Sequence, residues 1–272
     1  MSADHSASFY TRRAPGLYAS EHATTGPWDP GLQHGGPPAA LLGHTLQQLG
    51  GPPGSRLARI SFDFHGPVPV TELSVEAEVL RTGSRIQLST AALRSETRVV
   101  MRATGWHLLA ESGRSPAVAP AFVVPDLPGQ ETIARFPGTD RFPYGDAVEW
   151  RFADGSFDQL GPATVWTRCR IPLLEGNSLT GLERTLITVD AANGISAELP
   201  FTEWAFVPVD LTVVMERHTH SEWVGMCSKT TLNPDGIGIT ETVLFDEQGA
   251  FGRALQTLFV APRQGGATGF RT

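Results

Sequence analysis

The sequence predicts an α+β chain of two similar halves, each an antiparallel sheet wrapped around a central helix. Three observations predict it. Eight strand-like runs occur, and those at 56–65 and 72–81 alternate with a period of two, as half-buried strands do. Two stretches carry apolar residues at helical spacing, near 39–49 and 180–196. The order of helix then four strands occurs twice, separated by a stretch rich in Pro, Gly, Ala and Ser, which is the pattern of an internal duplication. The expected division is 1–115 for the first half, 116–140 for a surface linker and 141–272 for the second half.

In the first half, residues 24–38 are a Gly- and Pro-rich loop ending in His34-Gly35-Gly36-Pro37-Pro38. Proline is tolerated in the first helical turn, whose N–H groups have no partner anyway. The helix over 39–49 places Leu42, Leu46 and Leu49 on one face, and Gly50-Gly51-Pro52-Pro53-Gly54 stops it. Strands follow at 56–65, 72–81, 85–93 and 99–109. The second is the clearest, with Leu73, Val75, Ala77 and Val79 alternating with Glu72, Ser74, Glu76 and Glu78. The short turns at Thr82-Gly83 and Ser95-Glu96-Thr97 predict hairpins, and the four strands are expected as a meander.

In the second half, strand-like runs at 148–152 and 164–170 precede the helix over 180–196. Thr180 with Glu183 three residues on predicts a capping box, and Asn193-Gly194 predicts a left-handed cap at the end. Leu179, Leu182, Leu186 and Val189 form the apolar stripe, and Asp190 falls on its shoulder in the last turn. A carboxylate there faces the negative end of the helix dipole and partial burial, so it needs polar partners and its pKa tends upward. Strands are expected at 206–215, 222–231, 237–245 and 250–260, with turns at Asn233-Pro234-Asp235-Gly236 and Asp246-Glu247-Gln248-Gly249. The last strands of the halves resemble each other: Met101-Arg-Ala-Thr-Gly-Trp106 against Gly252-Arg-Ala-Leu-Gln256-Thr257.

Composition narrows the function. The 272 residues are 40% hydrophobic and 18% charged, which suits a folded rather than a disordered chain. The net charge of −7 arises in the second half, which argues against a general nucleic-acid partner. No apolar run approaches the roughly 20 residues of a membrane helix, and the segment MSADHSASFYTRR has no apolar core of a signal peptide. Cys169 and Cys227 lack metal or redox spacing. These features predict a reduced cytoplasmic protein, not bound to membranes. A Gly-x-Ser-x-Gly elbow, His-Glu-x-x-His and Cys-x-x-Cys are all missing, so a serine hydrolase or a resident metal is not expected. His218 and His220 share a strand face but read as turn histidines. Gly236-Ile-Gly238 is a hairpin pair, not a dinucleotide loop.

His34-Gly35-Gly36, Thr188-Val-Asp190, Pro208-Val-Asp210-Leu-Thr212 and Leu255-Gln256-Thr257 occur in this order along nearly the whole chain, from about Pro27 to Pro262. In this the sequence resembles the acyl-CoA thioesterase II and thioesterase-like family, a double hotdog fold. The resemblance implies an Asp, a Thr and a Gln that together activate a water, with no cofactor. The Asp maps to Asp190 and the Gln to Gln256. The Thr position falls on or beside Pro208, which has no hydroxyl. Thr212, four residues on at about 3.3 Å each, is about 13 Å away and cannot take over.

The chemistry stands beside the resemblance. Thioester hydrolysis needs a nucleophilic water and a place for negative charge on the carbonyl oxygen. Asp190 is the candidate general base. Gln256, a polar residue on an apolar strand face, needs a buried partner and would orient the water or the carboxylate. The N–H groups opening the first helix at His34-Gly35-Gly36 would receive the thioester oxygen, the His34 side chain would either donate to that carbonyl or only cap the loop, and Asp210 joins this substrate-binding set. The expected substrate is an acyl-CoA or an acyl-carrier thioester, with a thioester-binding protein of little catalysis as the alternative. A hydratase on the same fold would need a histidine a few residues after its Asp, and Asp190 has none. Open sheet edges favour a homo-oligomer.

Overall fold

The computed structural model describes residues 7–118, 122–130 and 141–263. The first half contains β1 (Tyr10–Ala14), β2 (Leu17–Ser20), α1 (Gly36–Leu49), β3 (Ser55–Phe64), β4 (Glu72–Arg81), β5 (Ile86–Ser95) and β6 (Arg98–Leu109). The second contains α2 (Pro143–Ala147), β7 (Val148–Asp154), β8 (Ala163–Cys169), α3 (Gly181–Val189), α4 (Ala192–Ile195), β9 (Trp204–Pro208), β10 (Asp210–Met215), β11 (Val224–Leu232), β12 (Ile237–Asp246) and β13 (Gly249–Pro262).

The strands run β1-β2-β4-β5-β6-β3-β10-β13-β12-β11-β8-β7, with β9 attached to β13. Outward from the β3–β10 junction the two halves repeat one order. Each has two strands before its helix; β1 and β2 carry too few residues to show a period. The sheets of the two halves join edge to edge where β3 pairs with β10, from Asp63 opposite Asp210 to Arg59 opposite Val214. The join leaves neither edge open to unwanted pairing.

The hairpins β4–β5–β6 and β11–β12–β13 form at the expected turns. The full meander does not. The strand after each helix pairs with the last strand of its half, β3 with β6 and β10 with β13. The connections at 65–71 and 216–223 are too long for two-residue hairpin turns and let the chain cross to the far side.

α1 packs on β3 to β6, α3 and α4 pack on β8, β11 and β12, and α1 packs against α3 between the two halves of the sheet. Leu182, Leu186 and Val189 of the α3 stripe are fully buried. Each contributes about 1.5–3 kcal/mol by leaving water. The capping box forms as expected, Glu183 N–H donating to Thr180 Oγ1 and Thr180 N–H to Glu183 Oε2.

Two elements break where one was expected. α3 stops at Val189, Asp190 takes a helical φ of −65° as its cap, and α4 resumes after Ala191. Asn193 and Gly194 therefore lie inside α4 and not in a left-handed cap. Asn193 instead donates to the Phe206 carbonyl. The strand expected over 206–215 splits at Val209 into β9 and β10. Pro208 has no N–H for a ladder, and Val209 donates to Thr257 O while accepting from Phe64 N–H.

The linker expected over 116–140 lies partly outside the described residues, as do 1–6 of the segment read for a leader. Of the described linker residues, those at 122–130 dock on the second half: Phe122 and Val124 pack on Trp166, Trp223 and Phe245, and Arg151 Nη1 donates to Pro128 O.

Candidate active site

The opening of α1 meets the end of α3 with almost no space between backbones. A Cβ on Gly36 would overlap the Ile187 carbonyl oxygen, and one on Gly35 would come within 2.6 Å of Asp190 Oδ2. Only glycine lets the two helix ends approach this closely. Pro37 and Pro38 occupy the first turn and carry no N–H, so Gly35 and Gly36 hold the donors that remain there.

Both donors are engaged within the protein. The Gly35 N–H lies against the Asp190 carboxylate and favours its charged form. The Gly36 N–H donates to His34 Nδ1 at 3.1 Å. The sequence suggested these N–H groups for a thioester oxygen; in the structure they face Asp190 and His34. The two N–H groups position Asp190 and His34 instead.

Asp190 is 6% exposed. Burial raises its pKa from 3.8 to about 7, and the Gly35 N–H opposes the rise only in part. Its Oδ2 lies 3.3 Å from His34 Nδ1. Burial lowers the His34 pKa to about 3, so the ring is neutral. The imidazole stacks on Tyr144, centroids 3.8 Å apart and planes 6° from parallel. The Tyr144 hydroxyl donates to Ile187 O, its N–H donates to Thr25 O, and the His34 N–H donates to Thr24 O. Sequence reasoning missed Tyr144, which lies in the five-residue α2 and has no periodic signal. Phe64, also missed, sits against Gly35 from the end of β3.

Gln256 reaches this cluster from β13. It is 1% exposed, and its Nε2 donates to Asp190 O at 3.2 Å and to Asp190 Oδ1 at 3.4 Å. Its Oε1 is buried with no partner among the described residues, which leaves an acceptor for a bound group. Asp190, Gln256, His34, Gly35 and Gly36 are therefore brought together. Asp210 is engaged elsewhere: its Oδ1 accepts the Thr257 N–H at 2.7 Å, bracing the strand that carries Gln256. Pro208 pairs with Leu258, two residues along β13 from Gln256, and offers no hydroxyl.

Among the described residues no three His, Cys, Asp or Glu side chains gather as a metal would need. His218 Nε2 instead bonds Leu57 O across the two halves. No described helix is long and apolar enough to cross a membrane.

Two sequence families match. The acyl-CoA thioesterase N-terminal domain matches over residues 24–108, and the acyl-CoA thioesterase C-terminal domain over residues 124–260. The chain belongs to the acyl-CoA thioesterase family. No curated protein sequence matches it. Solved structures share its fold. An acyl-CoA thioesterase II from Mycobacterium marinum is 14% identical with a TM-score of 0.65, covering 95% of this chain and 96% of that one. A hot dog protein of unknown function from Alicyclobacillus acidocaldarius is 15% identical with a TM-score of 0.70, covering 90% and 93%. A TesB protein from Mycobacterium avium subspecies paratuberculosis is 12% identical with a TM-score of 0.65, covering 93% and 96%. The architecture is thus a double hotdog, as the sequence motifs implied.

Proposed function

We propose that this protein hydrolyses an acyl-CoA or acyl-carrier thioester to the free acid and thiol, with Asp190 as general base. The observation that carries the reading is the Asp190–Gln256 contact beside the α1 opening. Gln256 Nε2 holds the carboxylate, and its unpartnered Oε1 can accept one hydrogen of a water whose other hydrogen faces Asp190. A water held by both hydrogens presents its lone pair to the thioester carbon. The proton passes to Asp190, whose pKa of about 7 suits a base that works near neutrality. When the tetrahedral intermediate collapses, the C–S bond breaks and Asp190 returns the proton to the leaving thiolate. The unpaired Cys169 and Cys227 are consistent with a reducing, cytoplasmic setting.

The test is thiol release from a panel of acyl-CoAs of increasing chain length. Asp190→Asn is expected to lower turnover by about 10²–10⁴-fold on the best substrate. Undiminished turnover in that variant would remove Asp190 from the mechanism. Pro208, lacking a third ligand for the water, favours a second reading: a protein that binds acyl thioesters with little turnover. That reading requires saturable acyl-CoA binding by wild-type protein without thiol release.

A further inference from the structure

Under the hydrolytic reading above, the thioester carbonyl oxygen needs a hydrogen-bond donor, and the donors near Asp190 can be accounted for one by one. The Gly35 N–H serves the Asp190 carboxylate, whose charged form it favours, and the Gly36 N–H donates to His34 Nδ1. Pro37, Pro38 and Pro208 have no N–H. Gln256 Nε2 is committed to Asp190, and the Tyr144 hydroxyl to Ile187 O. Of the groups that touch Asp190 itself, His34 is what remains. A neutral imidazole that accepts at Nδ1 carries its proton on Nε2. Among the described residues Nε2–H has no partner, and the side chain keeps 13% of its surface open. The ring cannot easily turn away, because Tyr144 stacks on its face and the Gly36 N–H holds its edge.

We infer that His34 is a catalytic residue of this site: its Nε2–H, fixed by the Gly36 N–H on Nδ1 and by the Tyr144 stack, donates to the thioester carbonyl oxygen and stabilises the oxyanion. The inference rests on the hydrolytic reading. As the water oxygen bonds to the carbonyl carbon, the π electrons move to the carbonyl oxygen, which keeps the Nε2–H hydrogen bond without taking the proton. The water proton goes to Asp190. On collapse the C=O bond re-forms, the C–S bond breaks and the thiolate takes the proton from Asp190. The imidazole stays neutral throughout. Its Nδ1 lies 3.3 Å from Asp190 Oδ2, with its lone pair held by the Gly36 N–H.

The experiment compares His34→Phe, His34→Gln and Asp190→Asn with wild type. Phe keeps the stack on Tyr144 and removes both nitrogens. Gln can place an amide N–H near the former Nε2. Losing an oxyanion donor costs about 10²–10³-fold in kcat, so His34→Phe is expected to fall by that factor and His34→Gln to recover part of it. Binding of an S-alkyl-CoA thioether, which has no carbonyl, is expected to stay within a few-fold of wild type in both. If His34→Phe keeps wild-type kcat while Asp190→Asn is inactive, the role of His34 is overturned and the hydrolytic reading stands. If Asp190→Asn is fully active, or wild type releases no thiol, that reading falls and takes the inference with it. Ring-¹⁵N NMR of the wild-type protein gives a readout independent of activity and of variant folding. A protonated Nε2 and bare Nδ1 on His34 across pH 5 to 8 are expected; a proton on Nδ1 would overturn the assignment.

Discussion

The Asp190 carboxyl loses its hydration at the joint between α3 and α4, and the Gly35 N–H returns only part of it. Two pH effects follow from a pKa raised from 3.8 to about 7. In the proposed role of general base Asp190 must be ionised, so kcat/KM is expected to rise with pH and level off above an apparent pKa near 7. Stability runs the other way. Between the unfolded and folded pKa values the native protein binds more protons than the unfolded chain, so its stability falls as pH rises from about 4 through about 7. The full difference is worth at most roughly 4 kcal/mol. Asp190→Asn carries no such penalty and is expected to be more stable than wild type above pH 7, with the gain vanishing below pH 4. Urea unfolding at several pH values measures this; an equal difference at every pH would show that Asp190 is not ionised at a cost.

At the scale of elements, the site depends on α1 and α3 lying in backbone contact. The two glycines of α1 that face α3 differ in what a methyl group would strike. On Gly36 it would overlap the Ile187 carbonyl, part of a helix that cannot yield locally; on Gly43 it would meet the Leu186 Cδ1 methyl, the end of a side chain that can change rotamer. Gly36→Ala is expected to cost about 3 kcal/mol or more and to disturb Asp190, and Gly43→Ala to cost about 1–3 kcal/mol. Denaturant midpoints together with thiol release rank them; the reverse order would mean the helices slide apart more easily than their packing implies. The far end of the pair is tied by His44 Nδ1 to Glu183 Oε1 at 2.6 Å. Burial would push the Glu183 carboxyl up, but the His44 and Thr180 hydrogen bonds hold it below the usual carboxylate range.

At the scale of the whole molecule, the duplicated halves are unequal. The likeness of the last strands sets Gly105 of β6 opposite Gln256 of β13. A Cβ at Gly105 would lie 2.7 Å from Leu57 Cδ1 and 3.2 Å from Leu46 Cδ1, so leucines fill the place that holds the Gln256 amide in the other half. At the α3 opening, Glu183 is already bound to Thr180 and His44. One thioester site per chain is therefore expected, and calorimetric titration with an S-alkyl-CoA should saturate at one equivalent; two equivalents would show that the filled half also opens. Much of this architecture could be read in the sequence. Alternation located β4, capping chemistry located the start of α3, and the position of Asp190 foretold its raised pKa. The strand order escaped, because a period of two tells which face is buried but not which neighbour pairs.

From the sequence alone came the longer helices and strands, the duplication, the motifs that resemble the thioesterase family and the missing hydroxyl at Pro208. These are local properties, carried by residues within a turn or a strand of each other. Only the tertiary structure decided that Gln256 bonds to Asp190, that the glycine N–H groups of α1 serve Asp190 and His34, that Tyr144 clamps the imidazole, and that Asp210 braces β13. Those contacts join residues far apart in the chain, and the pairing of two helix ends depends on how the halves dock, which no periodicity records.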